Sequence, residues 1–308
     1  MVVVFGSINL DLVFRVPVLP RPGQTVSGPS YACLPGGKGA NQALAAARAG
    51  SSVVMAGAVG GDPFGRMAIE SLRLGGVDLS RVAVCEAPTG CAAVCVDDHA
   101  ENQIVVASGA NAYASERSVE TDLLSAESVL LLQNEVSLEQ SEKLAQRARA
   151  RGARVVWNAA PVAPLTKQAL QAIDVLVVNA LEAHGLASSL GIGRDAPIET
   201  AQALAEYCGC EVVVTCGSSG SIAVTHAGLW EIPSLQVQAA DTTGAGDAFV
   251  GVLASAMDRG LERAEAYAWA STAAAMACLG SGAQAALPTA SAIAASLPRL
   301  GMIKVSSR

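Results

Sequence analysis

The most informative segment of the chain reads Asp241-Thr242-Thr243-Gly244-Ala245-Gly246-Asp247-Ala248-Phe249. Its small residues precede a helix-forming run, so we expect a tight turn that leads into the N-terminus of a helix. Backbone N–H groups at such a terminus bind anions, and Gly244, Ala245 and Gly246 leave room for a phosphate to approach them. The segment therefore predicts a phosphate-binding turn, which we call the anion hole.

Asp247 falls in the first turn of the predicted helix, beside the expected phosphate. A carboxylate there repels the phosphate, but it can take the proton from a hydroxyl that attacks the phosphoryl group. An isolated aspartate at this position would more often only complement the helix dipole. Because two glycines and Asp241 accompany it, we interpret Asp247 as a general base for phosphoryl transfer.

A second glycine-rich turn, Pro35-Gly36-Gly37-Lys38-Gly39-Ala40-Asn41-Gln42, also opens a predicted helix. It lacks the spacing of a Walker A loop, and alone it is a weak signal. The amide of Asn41 both donates and accepts, as the binding of a polyol requires. Asn9 and Asp11 follow the first predicted strand and so lie at the sheet edge where α/β proteins bind ligands. An Asx turn is the alternative explanation for these two residues.

Strand-like and helix-like segments alternate regularly beyond residue 125, which predicts a parallel sheet with helices on both faces. Two earlier regions, 11–34 and 91–107, are expected to form antiparallel strands of a smaller sheet that covers a pocket. We therefore expect residues 1–308 to form one α/β domain, with a central, mostly parallel sheet flanked by helices and a small antiparallel β lid. The expected segments are strands at 2–5, 52–56, 129–132, 154–157, 175–178, 211–215, 221–224 and 229–232, and helices at 38–49, 63–74, 137–151, 165–172, 181–190, 197–208, 245–259, 262–279 and 289–297.

The composition limits the classes of partner. Residues of apolar type make up 51% of the chain, and the net charge is −7, which argues against nucleic acid and anionic membrane surfaces. The N-terminus lacks the pattern of a signal peptide, and the longest apolar stretch, 264–279, is too short and too weakly apolar to cross a bilayer. The eight cysteines show no Cys-x-x-Cys spacing, so buried reduced thiols of a cytoplasmic protein are expected.

The glycine-rich segments together resemble the ribokinase family of PfkB-type carbohydrate kinases, over nearly the full chain and in the same order. Gly6–Asp11 and Asp241–Asp247 are specific in combination, and further matching segments are Gly109–Ala112, Asn134–Glu135, Asn179–Glu182 and Thr215–Ser218. The resemblance implies an ATP-dependent sugar kinase with the fold described above. It also implies Mg²⁺ and K⁺ as cofactors and a lid that can form the interface of a homodimer.

The resemblance further implies a role for individual positions. The sugar contacts correspond to Asn9, Asp11, Gly37, Lys38, Asn41, Glu135 and Asp247. The family's catalytic base corresponds to Asp247, and its anion hole corresponds to Gly244, Ala245 and Gly246. The nucleotide contacts correspond to Asn179, Thr215, Gly217, Gly220 and Gly246. Glu182 would place Mg²⁺ indirectly, and the monovalent-cation site corresponds to Asp241, Thr243, Ala277, Gly280 and Gly282.

Three positions depart from the family pattern. The segment Asn158-Ala159-Ala160-Pro161 stands where the family usually has Asn-Pro-Ala-Pro. Ala286 replaces a frequent serine near the cation, which removes one side-chain oxygen ligand, and Thr25 replaces a frequent glutamate in the lid. None of these changes falls on the catalytic residues.

The polar set of Asn9, Asp11, Asn41 and Glu135 favours a bare sugar as substrate, and we expect D-ribose, phosphorylated on its primary hydroxyl. Another sugar kinase or a nucleoside kinase on the same scaffold is an alternative. The aromatic content of 4% disfavours the nucleoside kinase, because nucleobase pockets commonly use aromatic side chains. A non-catalytic sugar or nucleotide sensor is the third hypothesis, and the presence of both Asp247 and the anion hole disfavours it.

Overall fold

The structure, a computed structural model, describes residues 1–99 and 101–307; residue 100 of the 91–107 lid region and residue 308 of the expected domain lie outside the described residues. In chain order, the strands are β1 (Val2–Phe5), β2 (Asn9–Arg15), β3 (Ser30–Gly36), β4 (Val53–Gly60), β5 (Asp78–Cys85), β6 (Gly90–Val96), β7 (Asn102–Ala107), β8 (Val129–Gln133), β9 (Arg154–Asn158), β10 (Val175–Asn179), β11 (Glu211–Thr215), β12 (Ser221–Thr225), β13 (Gly228–Ile232) and β14 (Lys304–Ser306). The helices are α1 (Lys38–Arg48), α2 (Pro63–Leu74), α3 (Leu138–Ala150), α4 (Lys167–Ala172), α5 (Ala180–Ser189), α6 (Pro197–Cys208), α7 (Ala245–Asp258), α8 (Arg263–Ala277) and α9 (Ala290–Ser296).

The large sheet has ten strands in the order β14-β13-β12-β11-β10-β9-β8-β1-β4-β5. Every pairing from β11 to β5 along this order is parallel, and the remaining pairings at the β14 end are antiparallel. Alternate residues of β1 enter two different apolar cores, Val3 and Phe5 on one face and Val2 and Val4 on the other. Because both faces are covered, the central strands are continuous apolar runs, as expected for a parallel sheet.

The small sheet has four strands in the order β3-β2-β6-β7. Its outer pairings, β2 with β3 and β6 with β7, are antiparallel, whereas the central pairing of β2 with β6 is parallel. The sheet expected as antiparallel is therefore mixed at its centre, because β2 and β6 are joined through other elements and not by a hairpin turn. It places Asn9 and Asp11, both on β2, beside the carboxyl end of β1.

The sequence pattern located most of the other elements to within a few residues, and the bounds of α2, α6 and β11 agree with those expected. The strand expected over residues 25–34 begins only at Ser30, since residues 25–29 form no strand. The pattern missed β5, an edge strand of the large sheet whose polar residues interrupt any apolar run. It also missed β14, which has three residues. Within residues 1–99 and 101–307, none of the helices combines the length and apolar character that a membrane crossing requires.

Candidate active site

The anion-hole segment forms a tight turn into α7, as its composition predicts. Gly244 precedes the helix with a φ of 81°, in the left-handed region that favours glycine, and a Cβ there would lie 2.8 Å from Ala283 Cα. The helix begins at Ala245, so Asp247 occupies its first turn, and its side chain is buried. At Gly246, in contrast, an added Cβ would meet no atom of the described residues within 4 Å. The protein itself therefore does not need a glycine at Gly246, which leaves open space beside the turn.

Two side-chain amides near the start of α1 hold the Asp247 carboxylate. Asn41 Nδ2 donates to Asp247 Oδ2 at 2.8 Å, and Gln42 Nε2 donates to Asp247 Oδ1 at 2.9 Å. Burial raises the pKa of Asp247, while Lys38 and the two amides act in the opposite direction. The two glycine-rich turns therefore open helices whose N-terminal ends meet at a buried carboxyl group.

Glu135, just past the carboxyl end of β8, joins this group. Its Oε2 accepts from Ser7 Oγ at 2.6 Å and from the backbone N–H of Lys38 at 2.9 Å. Burial alone would lower the pKa of the Lys38 ammonium, but the carboxylates of Asp247, Glu135, Glu182 and Asp11 together raise it above its ordinary value. Lys38 is thus the cation at the centre of an acidic cluster.

Asp11 is a half-buried member of the same cluster. Burial raises the pKa of Asp11 to about 6, and the neighbouring carboxylates of Glu135 and Asp247 add to the effect, against Lys38. Within the described residues, no group donates a hydrogen bond to its carboxylate. The oxygens of Asp11 are consequently open to hydroxyl donors of a ligand.

Asn111 fixes the orientation of Asn9. Asn111 Nδ2 donates to Asn9 Oδ1 at 2.7 Å, and Asn111 Oδ1 accepts from the backbone N–H of Ile8 at 2.9 Å. Asn9, Asn111 and Glu135 then line a cavity of about 380 Å³ that continues between the loops after β7, β8 and β9. Gly37 precedes α1 and lies close to Asn9, since a Cβ at Gly37 would be 2.8 Å from Asn9 N. The side chains of the other predicted sugar contacts lie together at the carboxyl ends of β1 and β8: Asn9, Asp11, Lys38, Asn41, Glu135 and Asp247.

A second cavity, of about 220 Å³, lies on the other side of the anion hole. It is lined by Ala245 and Gly246 at the start of α7 and by the predicted nucleotide residues Thr215, Gly217 and Gly220. The walls are mostly small or apolar, with polar groups from Ser218, Ser221, Ser234, Gln236, Thr242 and Ser271 among them. The turn into α7 thus separates a polar, acidic region from a cavity of different character.

Asn179 and Glu182 lie outside the lining of that second cavity, although Asn179 pairs with Thr215 at the ends of adjacent strands. The two residues form a capping box at the start of α5: Asn179 Oδ1 accepts from Glu182 N, and Glu182 Oε2 accepts from Asn179 N, each at 2.8 Å. Burial raises the pKa of Glu182, with Asp247 acting the same way, although the Asn179 N–H and Lys38 act against it. Within residues 1–99 and 101–307, Glu182 Oε1 has no hydrogen-bond partner.

Asp241 closes a loop behind the anion hole. Its Oδ1 accepts from Thr243 N at 2.9 Å, and its Oδ2 accepts from Gly282 N at 3.1 Å. Burial would raise the pKa of Asp241, but these hydrogen bonds lower it below its ordinary value. Gly280 approaches Ala286 closely, since a Cβ at Gly280 would lie 3.0 Å from the Ala286 Cβ. The predicted cation residues therefore gather around the chain that follows α8, and the position of Ala286 adds no side-chain oxygen.

Sequence reasoning missed several residues that position this site. Ser7, Gln42 and Asn111 belong to segments that match the family pattern, and Asn158 to one that departs from it, but the sequence predicts no role for any of them. It predicts none for Gln133 or Gln284 either. The sequence does contain one signal: Gln133 directly follows the apolar run 129–132, and a polar residue at the end of a buried strand needs partners inside the protein. The structure shows Gln133 at the end of β8 and fully buried.

Among the residues described, no three His, Cys, Asp or Glu side chains form a group that could hold a metal ion. A divalent metal bound at this site would therefore depend largely on phosphate oxygens and water, which is how Mg²⁺ is commonly bound beside nucleotides.

Comparison with known proteins identifies the family. The model of the pfkB family of carbohydrate kinases matches residues 1–290. Ribokinase of Haemophilus influenzae is 35% identical over 290 residues, covering 93% of this chain and 94% of the relative. The crystal structure of Thermotoga maritima ribokinase superposes with a TM-score of 0.90 at 30% identity, covering 96% of this chain and 99% of the other. Arabidopsis thaliana ribokinase, solved with ribose and ATP, gives a TM-score of 0.87 at 30% identity, covering 96% and 98% of the two chains. The chain belongs to the pfkB family of carbohydrate kinases.

Proposed function

We propose that the chain is an ATP-dependent ribokinase, which transfers the γ-phosphoryl group of ATP to the primary hydroxyl of D-ribose. The observation that carries the proposal is the position of Asp247, a buried carboxylate at the turn between the polar acidic region and the second cavity. Ribokinases of 30 to 35% identity that match nearly the whole chain support the choice of sugar.

The sugar would lie against Asn9, Asp11, Lys38, Asn41 and Glu135. Asn9 offers an amide whose oxygen already accepts from Asn111, so its Nδ2 is directed to donate to a ligand oxygen. Asp11 offers carboxylate oxygens that no protein group among the described residues occupies. Several adjacent hydroxyls of one small molecule would satisfy this set, and an analogue lacking a hydroxyl would leave a buried polar group unpaired.

Asp247 would take the proton of the attacking hydroxyl. Its two oxygens each accept from one amide, so its direction is fixed and its remaining lone pairs are free for the hydroxyl. The N–H group of Gly246, in the first turn of α7, would donate to the phosphoryl oxygens as charge develops on them. The N–H group of Ala245, which donates to Thr242 O at 3.3 Å in this structure, would have to turn from that acceptor to join it. Positioning and electrostatic stabilisation of this kind account for most of the catalysis of phosphoryl transfer.

We propose Mg²⁺ as the divalent metal and K⁺ as the monovalent ion. Bound Mg²⁺ would supply neutralisation of the charge on the β- and γ-phosphates. Glu182, whose Oε1 has no hydrogen-bond partner among the described residues, and Asn179 would hold its water ligands. This fits the finding that no three acidic, His or Cys side chains of the described residues are grouped to bind the ion directly. Asp241 and the backbone carbonyls of the chain between Ala277 and Gly282 would hold K⁺, with no contribution from the Ala286 side chain.

We propose a cytoplasmic homodimer in which the small sheet acts as a lid and as the interface. Tyr31 on β3 and Val105 on β7 are exposed, and Tyr31 stacks on Phe14 with ring centroids 5.9 Å apart. Both edges of the small sheet, β3 and β7, present unpaired backbone groups that a second subunit would cover. All eight cysteines are free thiols, which fits a reducing compartment. Light scattering at micromolar concentration tests the dimer, and a monomer would reject it.

A substrate screen tests the function. We expect ADP release from ATP with D-ribose and Mg²⁺, and a much lower kcat/KM with 2-deoxyribose, fructose and adenosine. Faster turnover of fructose or adenosine would show that ribose is not the preferred substrate, while the assignment as a kinase would stand. If the protein binds ribose but releases ADP with none of these substrates, the result would instead favour the non-catalytic sensor.

A further inference from the structure

Gln42 links the Asp247 carboxylate to the interior of the large sheet. Its Nε2 donates to Asp247 Oδ1 and to Asn158 Oδ1, each at 2.9 Å, while its Oε1 accepts from Gln133 Nε2 at 2.7 Å. Gln42 and Gln133 have no solvent-exposed surface. Both sides of the Gln42 amide are therefore engaged inside the protein.

The direction of this network is fixed by a backbone carbonyl. Asn158 Nδ2 donates to Val177 O at 3.0 Å, and a carbonyl oxygen can only accept. The Asn158 Oδ1 must therefore be the atom that faces Gln42, which in turn must present its NH₂ group to Asn158 and Asp247. On the other side of the carboxylate, Asn41 Oδ1 accepts from Gln284 Nε2 at 3.0 Å, and Asn41 Nδ2 donates to Asp247.

Stability alone does not account for Gln133. Its Oε1 is buried and has no hydrogen-bond partner among the described residues, and it lies where a Cβ on Gly6 would approach to 2.0 Å. An unpaired buried carbonyl is unfavourable, and a methionine of similar size would bury no such group. What Gln133 contributes is the hydrogen bond from its Nε2, which orients Gln42.

We propose that Gln42, oriented by Gln133 and Asn158, is a positioning residue for phosphoryl transfer, because it holds the Asp247 carboxylate in one rotation and donates to the charged form of the base. The inference rests on the proposed role of Asp247 as general base. With one amide on each oxygen, the carboxylate cannot rotate without breaking hydrogen bonds, so its free lone pairs stay directed to the attacking hydroxyl.

Other charges act on Asp247 from the elements around it. Lys38 on α1 favours the ionised carboxylate, whereas Glu135 after β8 disfavours it, as do Asp11 on β2 and Glu182 on α5. Burial also disfavours the charged form. If the Gln42 donor is removed, these unfavourable influences are opposed by Lys38 and Asn41 alone, so the base should protonate at higher pH.

Gln42→Met tests the proposal through the pH profile of kcat with ribose and ATP. We expect the acid limb to move up by about one pH unit and kcat at pH 7 to fall about 10- to 100-fold, with KM for ribose changed less than about threefold. Gln133→Met should move the limb in the same direction by less. Thr200→Val is the matched control, because Thr200 is a buried hydrogen-bonded residue on α6 that does not contact this network.

A Gln42→Met enzyme with the wild-type acid limb, or with a loss confined to KM, would overturn the proposal. If that variant does not fold, Gln133→Met decides by the same criteria. The ¹³C NMR titration of the Asp247 carboxyl, assigned with Asp247→Asn, gives a readout that needs no turnover: its midpoint should rise in Gln42→Met. Wild-type protein inactive on ribose would reject the proposed function, whereas an active wild type with an unmoved midpoint would reject only the role of Gln42.

Discussion

We expect Asp11→Asn to stabilise the folded protein and to lower its affinity for the sugar. The carboxylate of Asp11 is half-buried beside Glu135 and Asp247, and burial raises its pKa from an ordinary value of 3.8 to about 6. Because the folded state binds the proton more tightly than the unfolded chain, stability falls as the pH rises from about 4 to about 6. Above that range the ionised carboxylate is fully unfavourable, and an asparagine removes this penalty.

The magnitude follows from the difference between the two pKa values. A shift of about 2 pH units corresponds to about 3 kcal/mol, which we reduce to about 1–3 kcal/mol because solvent screens a half-buried group. At about 2.1 cal/mol/K per residue, unfolding of 308 residues has an entropy of about 0.65 kcal/mol/K. The melting temperature of Asp11→Asn at pH 7.5 should therefore exceed that of the wild type by about 2–5 °C.

Differential scanning fluorimetry at pH 7.5 and pH 4 would measure the effect, with Asp195→Asn as an exposed control of the same chemistry. The gain should shrink at pH 4, where Asp11 is protonated in the folded wild type. At pH 7.5 KM for ribose should rise about tenfold or more with a smaller change in kcat, since Asp11 lies on the binding side. A lower melting temperature, or a gain of equal size at both pH values, would refute the reasoning.

Three further predictions address the phosphoryl-transfer side. Asp247→Asn should lower kcat by about 10²–10⁴-fold with ribose affinity nearly unchanged by calorimetry, and retention of a tenth of wild-type kcat would exclude Asp247 as the base. Gly246→Ala should leave stability unchanged or raise it by up to about 1 kcal/mol, because a Cβ there meets no protein atom, yet raise KM for ATP; unchanged ATP kinetics would place the phosphates elsewhere. Turnover should cease in excess EDTA and rise when K⁺ replaces Na⁺, and equal rates in the two salts would reject the monovalent site around Asp241.

The fold could be predicted from the sequence because its signals are local. Continuous apolar runs at β1, β8 and β10 and the turn into α7 each depend on a few adjacent residues. The strands that escaped prediction, β5 and β14, lie at the edges of the sheet, where one side of the strand faces solvent and no apolar run is needed. Residues 25–29 alternate in polarity as a strand would, but they form no strand. An alternating pattern indicates a strand only where a neighbouring strand is available to pair with it.

The catalytic base and most polar site residues could also be predicted, because they follow strands or open helices in short glycine-rich segments. The amide network around Asp247 could not be predicted from the sequence. Its members, Gln42, Gln133, Asn158 and Gln284, come from four separate parts of the chain, and only the fold brings them together. A lone glutamine at the end of an apolar strand signals a need for partners but does not say which ones.

The distance between α1 and α7 connects the packing of the core to the chemistry of the site. A Cβ at Gly251 on α7 would lie 2.4 Å from Gln42 O and 2.7 Å from Ala45 Cβ, so only glycine allows the two helices to approach this closely. Because the helices are close, the side chains of Asn41 and Gln42 both reach the Asp247 carboxylate, with donor–acceptor distances under 3 Å. Separating the helices by even one ångström would stretch both hydrogen bonds beyond their useful range. The orientation of the base is therefore set by helix packing one turn away from the reaction, and not only by the residues that contact it.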